Sequence, residues 1–89
     1  MAVRRRAIVQ GLVQGVFFRE SCRREALRRN VRGSVRNCAD GTVEAHFEGE
    51  AEAVEAMLAW VSHGPTDAVV RDVVTSSEEP TGEQRFTVR

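Results

Sequence analysis

The chain has no lysine and no tyrosine, only two cysteines and two prolines, and no long apolar run. Each gap closes off a class of function. A Walker-type phosphate loop needs a Lys-Ser/Thr pair, and Val16 and Phe17 stand in its place after Gly15. The missing tyrosine, with a net charge of +0, argues against a nucleic-acid partner, which calls for a basic face interleaved with stacking rings. No stretch approaches the roughly 20 apolar residues of a membrane span. The opening Met1-Ala2-Val3-Arg4-Arg5-Arg6 leads into an apolar segment that Gln10 and Gly11 interrupt, so it reads as neither a signal-peptide core nor a twin-arginine leader. The expectation is a cytoplasmic protein with no membrane partner. Cys22 and Cys38 are too few for a disulfide scaffold and read as free thiols of a reducing compartment.

What is present fits one small domain spanning 1–89, with 42% hydrophobic and 29% charged residues, an ordinary globular balance. Charge is divided unevenly along it. Residues 1–38 hold ten arginines against Glu20 and Glu25, a balance of +8, and residues 39–89 hold three arginines against eleven acids, a balance of −8. Two readings follow: halves of one domain that complement each other, or a positive potential that draws a small anion to the first half.

Periodicity orders the chain as strand, helix, strand, strand, helix, strand and a short last strand. Residues 4–11 read as the first strand, around Ala7-Ile8-Val9. Residues 18–29 read as a helix, with Phe18, Cys22 and Ala26 inward and Glu20 and Glu25 set i+3 or i+4 from arginines on the outer face. Strands follow over 31–38 and 42–48, joined by the tight turn at Asp40-Gly41. A second helix over 50–62 carries Ala51, Val54, Leu58 and Val61 as its buried stripe and is stopped by Gly64-Pro65. Residues 68–75 and 85–88 read as the last strands, with 78–82 as a loop between them. With right-handed crossovers this order predicts a ferredoxin-like α+β sandwich, the split β-α-β arrangement with two helices on one face of an antiparallel sheet.

Between the first strand and helix lies Gly11-Leu12-Val13-Gln14-Gly15-Val16-Phe17-Phe18-Arg19. Two glycines allow a loop to curl until successive main-chain N–H groups face one point, next to a helix N-terminus and one guanidinium. That set suits a phosphate. Glycine pairs also make plain strand-to-helix turns, so these nine residues alone leave both readings open. Asn37, just before the Asp40-Gly41 turn, is likewise either a turn residue or an amide offering an acceptor and two donors.

The two segments together resemble the acylphosphatase family. The first is similar to its G-x-V-Q-G-V-x-F-R signature. Gly33, Val35, Arg36, Asn37, Gly41, Val43 and Gly49 match its second, and the tail from Gly64-Pro65 to Phe86-Thr87-Val88-Arg89 looks like bacterial members. Ser34 departs from the pattern by replacing the usual aromatic, which is expected to remove packing and a wall near the site. Acylphosphatase-like segments also open larger hydrogenase-maturation proteins, and a free-standing domain is expected here.

The resemblance implies hydrolysis of an acyl phosphate to a carboxylate and inorganic phosphate, with no metal and no cofactor. Main-chain N–H groups from Val13, Gln14, Gly15, Val16 and Phe17, in the loop that Gly11 opens, would surround the phosphate. Arg19 would bind it as a planar fork, and Asn37 would hold the attacking water. A carboxylate leaves without protonation because its conjugate acid has a pKa of about 4, so no general acid is required. His46 and His63 have no carboxylate at ligand spacing, and Cys38 has no activating base. Gln14 is expected to shape the loop, Trp60 to pack at the end of the second helix, and Arg89 to approach Arg19. The alternative is a non-catalytic phosphate-binding module. An RNA-recognition module of the same element order would need stacking rings where Thr42 to Glu48 has one phenylalanine. A monomer acting on a small molecule is the simplest expectation.

Overall fold

The computed structural model describes residues 1–89. Its elements are β1 (Ala2–Leu12), α1 (Phe18–Arg28), β2 (Arg32–Asn37), β3 (Val43–Glu50), α2 (Ala51–Val61), β4 (Val69–Glu78) and β5 (Phe86–Val88). The strands form a single sheet in the order β4-β1-β3-β2-β5. Strands β1 to β4 pair antiparallel, whereas β5 runs parallel to β2, so the sheet is mixed. Connectivity is the reason. β4 and β5 occupy opposite edges, and the chain must cross the sheet at one end before β5 sets out in the direction of β2. No helix is long and apolar enough to cross a membrane.

Strand alternation decides which face is covered. Ala7 and Val9 of β1, Val35 of β2, and Val43, Ala45 and Phe47 of β3 are fully buried beneath the helices. α2 lies over β1 and β3, and α1 over β2 and β5. Phe18, Cys22 and Ala26 form the inner face of α1 as expected. The stripe of α2 differs: Val54, Met57 and Val61 are buried, while Ala51, where the chain leaves β3, is exposed. Trp60 is half-buried and meets Phe18 with ring centroids 5.5 Å apart. Both cysteines are free, and burial pushes the Cys22 thiol pKa upward.

The opposite face is polar, and there the two oppositely charged halves of the chain meet. Arg6 Nε and Arg36 Nε each donate to Glu44, both at 2.6 Å. Arg4 lies between Glu48 and Glu78, at 3.0 and 3.1 Å. His46 Nδ1 and Glu78 Oε1 are 2.7 Å apart, a carboxylate partner invisible in sequence because 32 residues separate them. These contacts carry β4 three residues past its expected end at 75, through to Glu78. Glu48 is 2% exposed and also accepts from the Thr81 and Gly82 N–H groups, at 3.0 and 2.8 Å. It therefore pins the segment that crosses from β4 to β5. Burial raises its carboxyl pKa, but those N–H groups and Arg4 outweigh that and hold it at about 2.

Ser34 lies on this polar face, paired in register with His46 and Thr87. The ring it replaces would therefore stand over the charge network, and the expected wall beside the site is corrected: the sheet itself separates Ser34 from the helix side.

Candidate active site

The strand ends decide where the chemistry-bearing residues gather. β1 and β2 run in the same direction, so the loop after Leu12 and the end of β2 at Asn37 arrive at one end of the sheet. β5, parallel to β2, brings Val88 there as well. The result is a cavity of about 290 Å³ lined by Val13, Gly15, Phe17, Phe18, Arg19, Glu20, Asn37 and Val88.

The loop backbone is left-handed at Gly15 (φ 75°) and again at Phe17 (φ 61°), with one residue between them. Phe17 is the N-cap of α1 and caps it with no side-chain hydrogen bond, so the first turn presents main-chain N–H groups without a competing side chain. A loop of this curvature joined to a helix N-terminus is suited to an anion. Phe18, 1% exposed, anchors the first turn in the core and thereby fixes the next residue, Arg19, at the cavity. Arg19 Nη1 donates to the main-chain oxygen of Arg89 at 2.8 Å, and the Arg89 N–H donates to Val35 O at 2.9 Å. The expected approach of Arg89 to Arg19 is thus present, and it ties the guanidinium to the strand layer.

Asn37 faces the helix side, in register with buried Val43. Its Oδ1 is enclosed yet accepts no hydrogen bond from the protein. An enclosed acceptor left in that state costs about 1–3 kcal/mol, which marks this amide as uncommitted to the fold's own bonding. Glu20 places a carboxylate at the cavity, a feature the helical spacing does not reveal. Hydrogen bonds from Arg23, at 2.9 and 2.7 Å, and from Arg24, at 3.2 Å, hold its pKa at about 2. It is ionised at neutral pH and cannot donate a proton there.

Three expected cradle residues do not line the cavity: Gly11, Gln14 and Val16. Gly11 belongs to β1, at a register shift between Gln10 and Gly11 where β4 is the partner. Its φ is +135°, and an added Cβ would fall 2.0 Å from the Val69 oxygen. Glycine is needed there for strand contact. Gln14 turns its amide to the neighbouring turn, donating to Cys38 O and Thr42 O, both at 2.8 Å. Gly11→Ala is accordingly expected to cost about 2–4 kcal/mol in urea unfolding through this clash. Gly15→Ala, whose Cβ would meet nothing within 4 Å, is expected to cost only the left-handed strain of about 1 kcal/mol. Equal losses at the two positions would contradict this division.

The fold and the site together define a ferredoxin-like α+β sandwich with an arginine- and asparagine-bearing cavity at the strand ends. The acylphosphatase family model matches residues 5–88. An acylphosphatase of Nitrosococcus oceani is 50% identical over 84 residues, covering 94% of each chain. One of Haloquadratum walsbyi is 49% identical over 86 residues, 97% of this chain and 92% of the relative. The solved acylphosphatase of Coxiella burnetii superposes with a TM-score of 0.95 at 34% identity, covering 99% of this chain and 93% of the other. This chain belongs to the acylphosphatase family, and it is a hydrolase of that family.

Proposed function

We propose that the cavity hydrolyses the carboxyl–phosphate bond of acyl phosphates by in-line attack of a water that Asn37 orients. The observation that carries this reading is the meeting of Gly15, Phe17 and Arg19 with Asn37, whose amide oxygen has no protein partner, around one cavity. Main-chain N–H groups of the 13–17 loop and the Arg19 fork bind the phosphoryl oxygens and stabilise charge on them in the transition state. The water oxygen bonds to phosphorus while the bond from phosphorus to the acyl oxygen breaks. The electron pair leaves with the carboxylate, and the water's proton passes to a phosphate oxygen.

The leaving carboxylate needs no proton, which agrees with Glu20 being held ionised. Turnover is therefore expected to show no limb from a catalytic side chain near pH ~6.5, where a histidine would titrate. Because Arg19 supplies the positive charge, turnover is also expected to persist in excess chelator. The protein is expected to act as a cytoplasmic monomer with no cofactor.

Benzoyl phosphate hydrolysis tests the reading. The wild type should turn over, and Asn37→Ala should lower kcat by about a hundredfold, the scale of losing a positioned group. A wild type that binds inorganic phosphate without hydrolysing benzoyl phosphate would leave a phosphate-binding module instead.

A further inference from the structure

We infer that Gln14 is a positioning residue that sets the separation between the phosphate loop and Asn37. The two halves of the site come from different parts of the chain, the 13–17 loop after β1 and the end of β2. The shared partner strand β3 sets the spacing of the two strands, and a contact between the loop and the β2–β3 turn sets that of the loop itself. Gln14 makes that contact. Its Nε2 lies 2.8 Å from Cys38 O and 2.8 Å from Thr42 O, so both hydrogens of one amide are committed across the gap.

The acceptors are themselves held by hydrogen bonds within the turn. Cys38 N–H donates to Thr42 O at 2.8 Å, and Gly41 N–H donates to Cys38 O at 3.1 Å. Asp40 Oδ1 accepts from the Thr42 N–H at 3.0 Å and from the Thr42 hydroxyl at 2.7 Å. Each of the two carbonyls thus has one lone pair used within the turn, and Gln14 fills the second. Cys38 directly follows Asn37, so a clamp on the Cys38 carbonyl acts one peptide from the amide that orients the water. The side chain does not line the cavity, which separates this role from direct contact with phosphate.

Other side chains serve this geometry less well. Methionine matches the length of glutamine but donates nothing, and glutamate would set a carboxylate against two carbonyl oxygens. Loss of the clamp should leave phosphate binding by the loop and Arg19 in place while the water drifts from the in-line position. A misplacement near 1 Å costs a factor of about a hundred.

The inference rests on the proposed role of Asn37, and a double-mutant cycle separates the two. The variants are Gln14→Met, Gln14→Glu, Asn37→Ala and the Gln14→Met/Asn37→Ala pair, with kcat measured on benzoyl phosphate and inhibition by inorganic phosphate measured alongside. Gln14→Met and Gln14→Glu should each lower kcat by about 10- to 100-fold while the phosphate inhibition constant stays within about threefold. In the Asn37→Ala background, Gln14→Met should cost less than about twofold, because there is no longer an oriented water to misplace.

Three results would overturn the inference while leaving the Asn37 reading intact: wild-type kcat in either Gln14 variant, an equal loss in both backgrounds, or phosphate inhibition weakening in step with kcat. The last would mean that Gln14 builds the loop itself. Wild-type turnover in Asn37→Ala would sink the water-orienting reading, and the inference with it.

Discussion

Arg19→Ala is expected to lower kcat/KM for benzoyl phosphate by about a thousandfold, within the range that arginine contributes at transferring phosphoryl groups. Phosphoryl transfer leaves the protein little covalent work, so the rate depends on charge stabilisation and placement. Arg19 is the only arginine lining the cavity. One of its donors is spent on the Arg89 oxygen at 2.8 Å, which holds the fork in place. Arg19→Lys should recover only a small part of the loss, since an ammonium cannot span two oxygens as a planar fork. The check is a kinetic comparison of the three proteins, with thermal unfolding beside it to show that each is folded at the assay temperature. A loss below about tenfold in Arg19→Ala would mean that the charge comes from elsewhere.

Glu48→Gln is expected to be the most damaging single change to stability among the polar residues, at about 3 kcal/mol at pH 7. The side chain is 2% exposed and accepts from Arg4 and from two main-chain N–H groups of the crossing segment. Replacing it removes the most buried of the carboxylates that meet Arg4, leaving Glu78 at 3.1 Å and Glu83 at 3.4 Å, and weakens the acceptor for both N–H groups. In a domain of this size the loss corresponds to a drop in Tm of about 15 °C. The folded-state pKa of about 2 lies below the ordinary 4.5, so the carboxylate's contribution is complete above about pH 5 and is lost as pH falls through the folded value. The gap between wild type and Glu48→Gln should therefore be widest near neutrality and close by roughly pH 2, as read by urea unfolding at a series of pH values. A gap that did not narrow in acid would show that the carboxylate charge is not what stabilises the crossing.

That crossing also matters for the site. It carries the chain to β5, and thereby delivers Val88 to the cavity and the Arg89 oxygen to Arg19. A carboxylate on the solvent-facing side of the sheet thus supports a guanidinium at the other end of it.

Much of this molecule is legible along the chain. The i+4 recurrence of Phe18, Cys22 and Ala26, the tight turn at Asp40-Gly41 and the Gly64-Pro65 stop all act over a few residues, and each element they mark is present. The two glycine-bearing signatures carry the family, with Arg19 and Asn37 in them. Where the structure adds to or departs from these signals, the cause is long range. Gly11 stands in the first signature, and its conformation answers to the β4 carbonyl of Val69, distant in sequence. Ala51 has the right periodicity for the core but lies where the chain leaves β3 and is exposed, while Met57 is buried. Ser34 sits in a signature segment, yet strand alternation turns it to the other face.

The sequence by itself determined the order of elements, the buried face of α1, the phosphate-suited loop and the identity of the two groups proposed to act on substrate. Tertiary structure alone decided that these two groups share a cavity, that β5 runs parallel at the far edge, and that Gln14 spans 24 and 28 residues to the next turn. The division follows from the range of the forces. Propensity, periodicity and turn chemistry act within a turn or two of chain, whereas these contacts exist only once strand register has brought distant segments within hydrogen-bonding distance.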